Sequence, residues 1–102
     1  MANLTHDEFS KHVGSKFQVP FEDGDLNMTL TDVKAYMPEP NEQSGMERFS
    51  VFFEGPSDLL LQTQTYLIRH EQMGEFELFL GAISRDEKAI RYEAVFNYYK
   101  TY

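Results

Sequence analysis

The sequence predicts a mainly β domain, either a small antiparallel β-barrel or a curled sandwich of about six strands, with one short N-terminal α-helix. From Met46 to Ala94, apolar and polar side chains alternate with the two-residue period of a half-buried strand. Turn residues break that alternation at short intervals, and no helices separate the strands as a parallel sheet would require. The length of 102 residues fits one domain, which we assign to residues 1–102.

The helix is predicted from signals at both of its ends. Thr5 and Glu8 have the spacing of a capping box, in which each residue satisfies a backbone donor near the other. Gly14 stands where many helices end in a left-handed residue. The predicted helix therefore runs from about Thr5 to Val13. A helix this short is not stable alone, so we expect it to dock on the sheet.

The strands follow from alternation between turn signals. The Asp-Gly step within Glu22–Asp25 predicts a hairpin turn. The alternation changes phase at Asp32, which indicates the bulge or bend that a small barrel needs to close. Met37–Gly45 is predicted to be an irregular loop, Gly55–Asp58 and Ser84–Lys88 are predicted turns, and the sequence shows no internal repeat. The predicted strands are Lys16–Phe21, Leu26–Tyr36, Glu47–Glu54, Leu59–His70, Glu75–Ile83 and Ile90–Asn97.

Charge and composition exclude several classes of function. The formal net charge is −8, from 17 acidic and 9 basic residues, which argues against direct basic contact with nucleic acid. The chain has no cysteine, so disulfides, thiolate metal sites and a cysteine nucleophile are excluded. No apolar stretch has the length of a membrane span or the form of a signal peptide. We therefore expect a cytoplasmic protein with no membrane contact.

No set of residues predicts catalysis or a bound metal. His6 and His12 fall on different faces of the predicted helix, and neither has the spacing of a zinc site. His70 beside Glu71 can be an acid–base pair or a polar strand end, and the second interpretation is favoured because no nucleophile is placed beside them. We predict no catalytic residue, no cofactor and no metal ligand.

Glu54 is an interaction candidate because it precedes a predicted turn in a strand region. Its carboxylate and the polar residues Gln62, Gln64 and Thr65 need partners if they are half-buried. They can bond to one another across the turn, or they can line a shallow site.

The other interaction candidates are aromatic. Phe52 has the opposite parity to the apolar face of its strand, so it lies either under the helix or in an interface. The C-terminal tyrosines Tyr98, Tyr99 and Tyr102 either finish the sheet edge or contact a partner, since tyrosine is favoured at interfaces. An unclosed sheet would also invite pairing with a second copy through strand addition.

Four segments resemble an uncharacterised bacterial family of single-domain proteins of about this length. They are FSKHVGSKFQV at Phe9–Val19, FSVFFEGP at Phe49–Pro56, QTQTYLIRHEQMGEFELFLGAI at Gln62–Ile83 and RYEAVFN at Arg91–Asn97. These motifs consist of core and turn residues, so the resemblance brings no catalytic assignment. It implies an association with phage-tail-derived or collar-type proteins.

We therefore expect a non-enzymatic interaction or assembly module, accessory to a phage-derived or phage-tail-like structure, whose partner is another protein or a second copy of the chain. One alternative is a small-ligand-binding barrel, motivated by nine Phe and six Tyr residues, which exceed what one core face requires. Another is an acidic inhibitor that mimics nucleic acid, motivated by the net charge of −8.

Overall fold

The computed structural model describes residues 4–36 and 46–99, and in these ranges six antiparallel strands close into a barrel with one short helix at one of its ends. The predicted loop Met37–Gly45 lies outside the described residues. The elements are α1 (His6–Ser10), β1 (Lys16–Phe21), β2 (Gly24–Ala35), β3 (Met46–Pro56), β4 (Gln64–His70), β5 (Gly74–Arg85) and β6 (Ala89–Tyr99). The predicted fold class is confirmed, in its barrel form.

The strand order around the barrel is β1-β2-β3-β6-β5-β4, with β4 returning to β1 where Gln18 pairs with Arg69. Each half of the chain is a three-stranded meander, and the two meanders meet where β3 pairs with β6. In this order β3 and β4 lie on opposite sides of the ring. Residues 57–63, which connect them, therefore cross one end of the barrel, and we call them the crossing segment. The ring closes, with β1 and β4 paired at Gln18 and Arg69, so the unclosed sheet on which strand addition would depend is not formed by the described strands.

The two meanders are equivalent in topology although the sequence shows no repeat. Their strands have 6, 12 and 11 residues in β1–β3 and 7, 12 and 11 residues in β4–β6. The second strand of each begins at a glycine with positive φ, Gly24 at 129° and Gly74 at 82°, where other residues would be strained. The second strand of each also carries a register shift, one of them between Leu30 and Asp32, which confirms the predicted bulge. A two-fold relation that exchanges the halves also exchanges the two ends of the barrel.

The barrel interior is filled by inward side chains from all six strands, as the two-residue period predicts. Its centre is aromatic and aliphatic, and most of these side chains are almost completely buried. The buried apolar residues of the strands are Phe17, Val19, Leu26, Met28, Leu30, Phe49, Val51, Phe53, Tyr66, Ile68, Phe76, Leu78, Leu80, Ile90, Tyr92 and Ala94.

Helix α1 closes the end of the barrel that we call the helix end. Phe9 is fully buried there and lies within ring-contact distance of Phe17, Phe49, Phe76 and Phe96. Four of the six strands thus contribute an aromatic side chain to the layer beneath the helix, which explains why so short a helix is held in place.

The helix is shorter than the predicted segment Thr5–Val13. Its N-cap is as predicted, since Thr5 Oγ1 accepts from the N–H of Glu8 at 3.1 Å. The helix ends at Ser10 because the chain turns toward β2, where the N–H of Gly14 donates to the carbonyl of Leu30 at 2.7 Å. Gly14 therefore joins the turn to the sheet instead of capping the helix.

Several strand boundaries also differ from the prediction. β3 does not stop at Glu54, because Gly55 and Pro56 remain paired with β6 and the chain leaves the sheet at Ser57. β4 begins only at Gln64, so the Leu59–Leu61 run belongs to the crossing segment. β5 and β6 extend beyond their predicted ends, to Arg85 and Tyr99.

Candidate functional site

The crossing segment is fixed to the barrel by a buried tyrosine. Tyr92 is fully buried in β6, and its hydroxyl accepts from the N–H of Leu61 at 3.0 Å. The same hydroxyl donates to the carbonyl of Leu59 at 3.4 Å. Leu61 is itself buried and caps this end of the core, so it does for this end what Phe9 does for the helix end.

Two further side chains hold the crossing segment. The Tyr66 hydroxyl donates to the carbonyl of Gln62 at 2.7 Å, and Arg85 Nη2 donates to the carbonyl of Ser57 at 2.8 Å. Burial raises the pKa of Tyr66, and the nearby Tyr92 raises it further. The phenol therefore stays protonated and remains a donor at neutral pH.

An open cleft of about 630 Å³ lies between the crossing segment and the β1–β2 turn. Its apolar walls include Phe21, Leu59 and Leu60, whose relative exposures are 44%, 48% and 52%. Asp23 and Asp25 lie on the turn side of the cleft. The full lining is Phe21, Asp23, Gly24, Asp25, Leu26, Leu59, Leu60, Leu61, Gln62, Gln64 and Tyr66. The cleft therefore joins an exposed apolar surface to two carboxylates.

A second apolar surface lies on the outer face of β5 and β6. Phe79, Ile83 and Val95 are between about half and two-thirds exposed and line a shallow groove of about 300 Å³ beside Glu93. This groove has less volume than the cleft and lies at the register shift of β5 between Ala82 and Ser84.

A polar cluster at the helix end has the outward form of a Ser–His pair. Ser15 Oγ lies 2.9 Å from His70 Nε2. His70 Nδ1, however, accepts from the N–H groups of Gln72 and Met73, both at 3.1 Å, so Nε2 carries the proton of the neutral ring and donates to Ser15. Ser15 in turn donates to the carbonyl of His12 at 2.6 Å. The imidazole has no lone pair directed at the serine, so this arrangement cannot deprotonate Ser15 as a catalytic base must.

His70 is a structural group in this arrangement. Its burial lowers its pKa, the adjacent His12 lowers it further, and Glu71 opposes both effects. The neutral ring holds the β4–β5 turn through two backbone bonds. Glu71 is exposed, and the ring nitrogens of His70 bond to Ser15, Gln72 and Met73 instead, so the structure does not assemble an acid–base pair from Glu71 and His70.

Two of the predicted interaction residues lie on the outer side of β3. Phe52 is half-buried, opposite Asp32 on one neighbouring strand and Glu93 on the other. Glu54 Oε2 accepts from Arg91 Nε at 3.0 Å across the β3–β6 pair. The expectation that Glu54 bonds across the turn is wrong, because β3 continues past it and directs its carboxylate sideways. Neither residue lines the cleft.

Two of the three predicted tyrosines lie at the end of β6 that is near the helix end, away from the cleft. Tyr98 and Tyr99 pair with Glu47 and Met46 at the end of β6, and their side chains are outside the described set. Tyr102 lies outside the described residues altogether.

The cleft residues were not predicted as a site. Alternation places Phe21 inside with Phe17 and Val19, but Phe21 ends its strand at a point where the crossing segment does not cover it. The run Leu59-Leu60-Leu61 carried the available signal, because three consecutive leucines cannot all face the interior from one strand. Gln62 and Gln64, considered above as partners of Glu54, line the cleft instead.

Residues 4–96 match the family model described as Domain of unknown function (DUF6916). The chain belongs to this family. The predicted membership of an uncharacterised single-domain family is thereby confirmed, whereas the phage-tail association stays a prediction. No curated protein and no solved structure matches the chain.

Within residues 4–36 and 46–99, no three His, Asp or Glu side chains form a group suited to hold a metal ion. In the same ranges, none of the helical structure is long and apolar enough to cross a membrane.

Proposed function

We propose that the protein is a non-enzymatic module for protein–protein interaction or assembly, and that its partner protein binds in the cleft beside the crossing segment. The observation that carries this proposal is the exposure of Phe21, Leu59 and Leu60 around one open cleft. Grouped exposed apolar side chains commonly mark interaction sites, whereas single ones need no explanation.

The cleft is also prepared for binding. Tyr92 and Tyr66 fix the backbone of the crossing segment, so the exposed leucines are presented on an ordered surface. A surface already ordered before binding loses less conformational entropy when the partner arrives. This favours recognition of a protein over a purely structural role for the segment.

The alternatives have less support. Side chains fill the described barrel interior, and a small ligand in the open cleft would be incompletely enclosed. A protein that mimics nucleic acid would carry its acidic side chains on one face. The described acidic residues instead include Asp7 at the helix end, Asp23 at the opposite end and Glu77 on an outer strand face. An accessory role in a phage-derived structure rests on the sequence resemblance alone, and a partner from such a structure would be consistent with the proposal.

Photo-cross-linking in the native host cell tests the proposal. A photoreactive phenylalanine analogue at Leu60 should give one discrete protein adduct, because Leu60 is about half exposed in the cleft. The matched control carries the analogue at Gln72, an exposed residue at the helix end. The Phe21→Ser substitution should abolish the Leu60 adduct. If Leu60 gives no adduct, or the same adducts as Gln72, the proposal is wrong.

A further inference from the structure

The two ends of the barrel are equivalent in the strands but are covered by segments of different length. His70 ends β4 and its ring packs on Phe17 of β1, with ring centroids 4.3 Å apart. Phe21 ends β1 and its ring packs on Tyr66 of β4, at 6.3 Å. The two-fold relation between the meanders exchanges these two ring pairs, so Phe21 is the counterpart of His70.

Only His70 of this equivalent pair is covered. The His12 ring lies 4.6 Å from the His70 ring, Ser15 bonds to it, and His70 is 8% exposed. Phe21 is 44% exposed. Residues 10–15 follow Phe9 before β1 begins, whereas only residues 62–63 follow Leu61 before β4 begins. The cleft is therefore the space that the chain fills with residues 10–15 at the helix end.

The occupant of the cleft must match two chemical features. Phe21, Leu59 and Leu60 require an apolar side chain, as the equivalent position at the other end receives an imidazole ring. Asp23 and Asp25 are exposed and form no ion pair among the described residues, so they favour a cation. Lysine or arginine supplies the cation, and its apolar stem can lie against the same apolar walls beside the apolar side chain.

A second copy of the chain fits the cleft poorly. Each copy has a formal net charge of −8, so two copies repel each other. Within one copy, four strands have a terminal residue at the helix end, opposite the cleft. These residues are Lys16 of β1, Ala35 of β2, Met46 of β3 and Tyr99 of β6. The occupant is thus expected to come from a different, basic protein.

We infer that the cleft binds a segment of a partner protein that places an aromatic or aliphatic side chain on Phe21 and an adjacent lysine or arginine beside Asp23 and Asp25. This inference rests on the proposed function and specifies the partner's chemistry.

Selection from a displayed library of random twelve-residue peptides tests the inference. Peptides are selected on the wild-type protein and depleted on the Leu60→Ser variant, and titration calorimetry measures the affinity of the synthesised consensus peptide. The consensus should place an aromatic or aliphatic residue next to lysine or arginine. Leu60→Ser should weaken its binding about tenfold or more, since it removes the burial of a leucine side chain. The Asp23→Asn, Asp25→Asn double variant should weaken it roughly fivefold and reduce its salt dependence.

The control variant is Val95→Ser on the outer face of β6, which should leave the affinity unchanged, and thermal unfolding should show that all variants remain folded. If the consensus depends on Leu60 but contains no basic residue, or binds the double Asn variant equally well, the inference is wrong and the proposed function stands. If no selected peptide depends on Leu60, both are wrong.

Discussion

The crossing segment should depend on the hydroxyl group of Tyr92. The Tyr92→Phe substitution removes one oxygen from a fully buried ring and leaves the N–H of Leu61 without its acceptor at 3.0 Å. An unsatisfied buried donor costs about 1–3 kcal/mol. The second bond, to the carbonyl of Leu59, is longer at 3.4 Å, and Leu59 is half exposed, so that carbonyl can turn to water. We therefore expect the free energy of unfolding to fall by about 1–3 kcal/mol, nearly all from the Leu61 donor.

Urea denaturation followed by far-ultraviolet dichroism measures this loss, which should lower the midpoint by about 1 M because the slope for a small domain is about 1–3 kcal/mol per molar. Amide hydrogen exchange should show that protection of Leu61 falls in the variant. Tyr66→Phe is the matched control, because its hydroxyl donates to the carbonyl of the exposed residue Gln62, which water can reach. The Tyr66→Phe variant should therefore lose less free energy of unfolding than Tyr92→Phe. An unchanged midpoint and unchanged Leu61 protection in Tyr92→Phe would show that the segment is held by other contacts.

Three more outcomes follow from the geometry. Phe9→Ala should lower the free energy of unfolding by about 3–5 kcal/mol in urea denaturation, since it leaves a cavity under α1, and Phe9→Leu should lower it much less; equal losses would contradict this. The free energy of unfolding should decrease as the pH falls below 6.5, because the lowered pKa of His70 keeps the folded ring neutral while the unfolded ring takes up a proton. The slope of this decrease should be at most about 1.4 kcal/mol per pH unit and should be smaller in the His70→Gln variant, which retains His12. Equal slopes in the two proteins would refute the prediction. A carboxyl NMR titration should find the pKa of Asp86 below its ordinary value, because the N–H groups of Lys88 and Ala89 donate to it at 2.8 and 2.9 Å; a pKa at or above that value would contradict the turn geometry.

The two-residue period was sufficient to predict the strands and their inward faces. Phe76, Leu78 and Leu80 alternate on β5 as the sequence indicates, because a half-buried sheet surface selects apolar residues at every second position. The phase change at Asp32 likewise predicted a bulge that the register of β2 against β3 confirms. These features are local, so a local pattern encodes them.

The cleft could not be predicted in the same way, since it depends on which strands are neighbours. Period alone does not say that β3 pairs with β6, and only that order makes the crossing segment span the barrel end. Leu59–Leu61 has the composition of a buried strand, but it contributes one buried side chain and exposes two. Tyr92 occupies an inward, apolar position of the alternating pattern in β6. Nothing in the sequence indicates that its hydroxyl bonds to a segment distant in the chain.

The difference between the two barrel ends originates in the length of the covering segments and not in the strands. Both ends present an inward aromatic layer that must be shielded from water, and both are shielded by one buried side chain, Phe9 or Leu61. If the covering segments at the two ends had the same length, the counterparts His70 and Phe21 would be equally buried or equally exposed, because the two meanders are equivalent. The helix end has six residues, 10–15, between its plug and the next strand, and there the chain buries the polar side chain of His70 and satisfies its nitrogens. The opposite end has two such residues, so the larger and more apolar ring of Phe21 is the one exposed. Stability alone would favour burial of Phe21 and exposure of His70, and that inversion is the physical reason to propose that the cleft binds a partner.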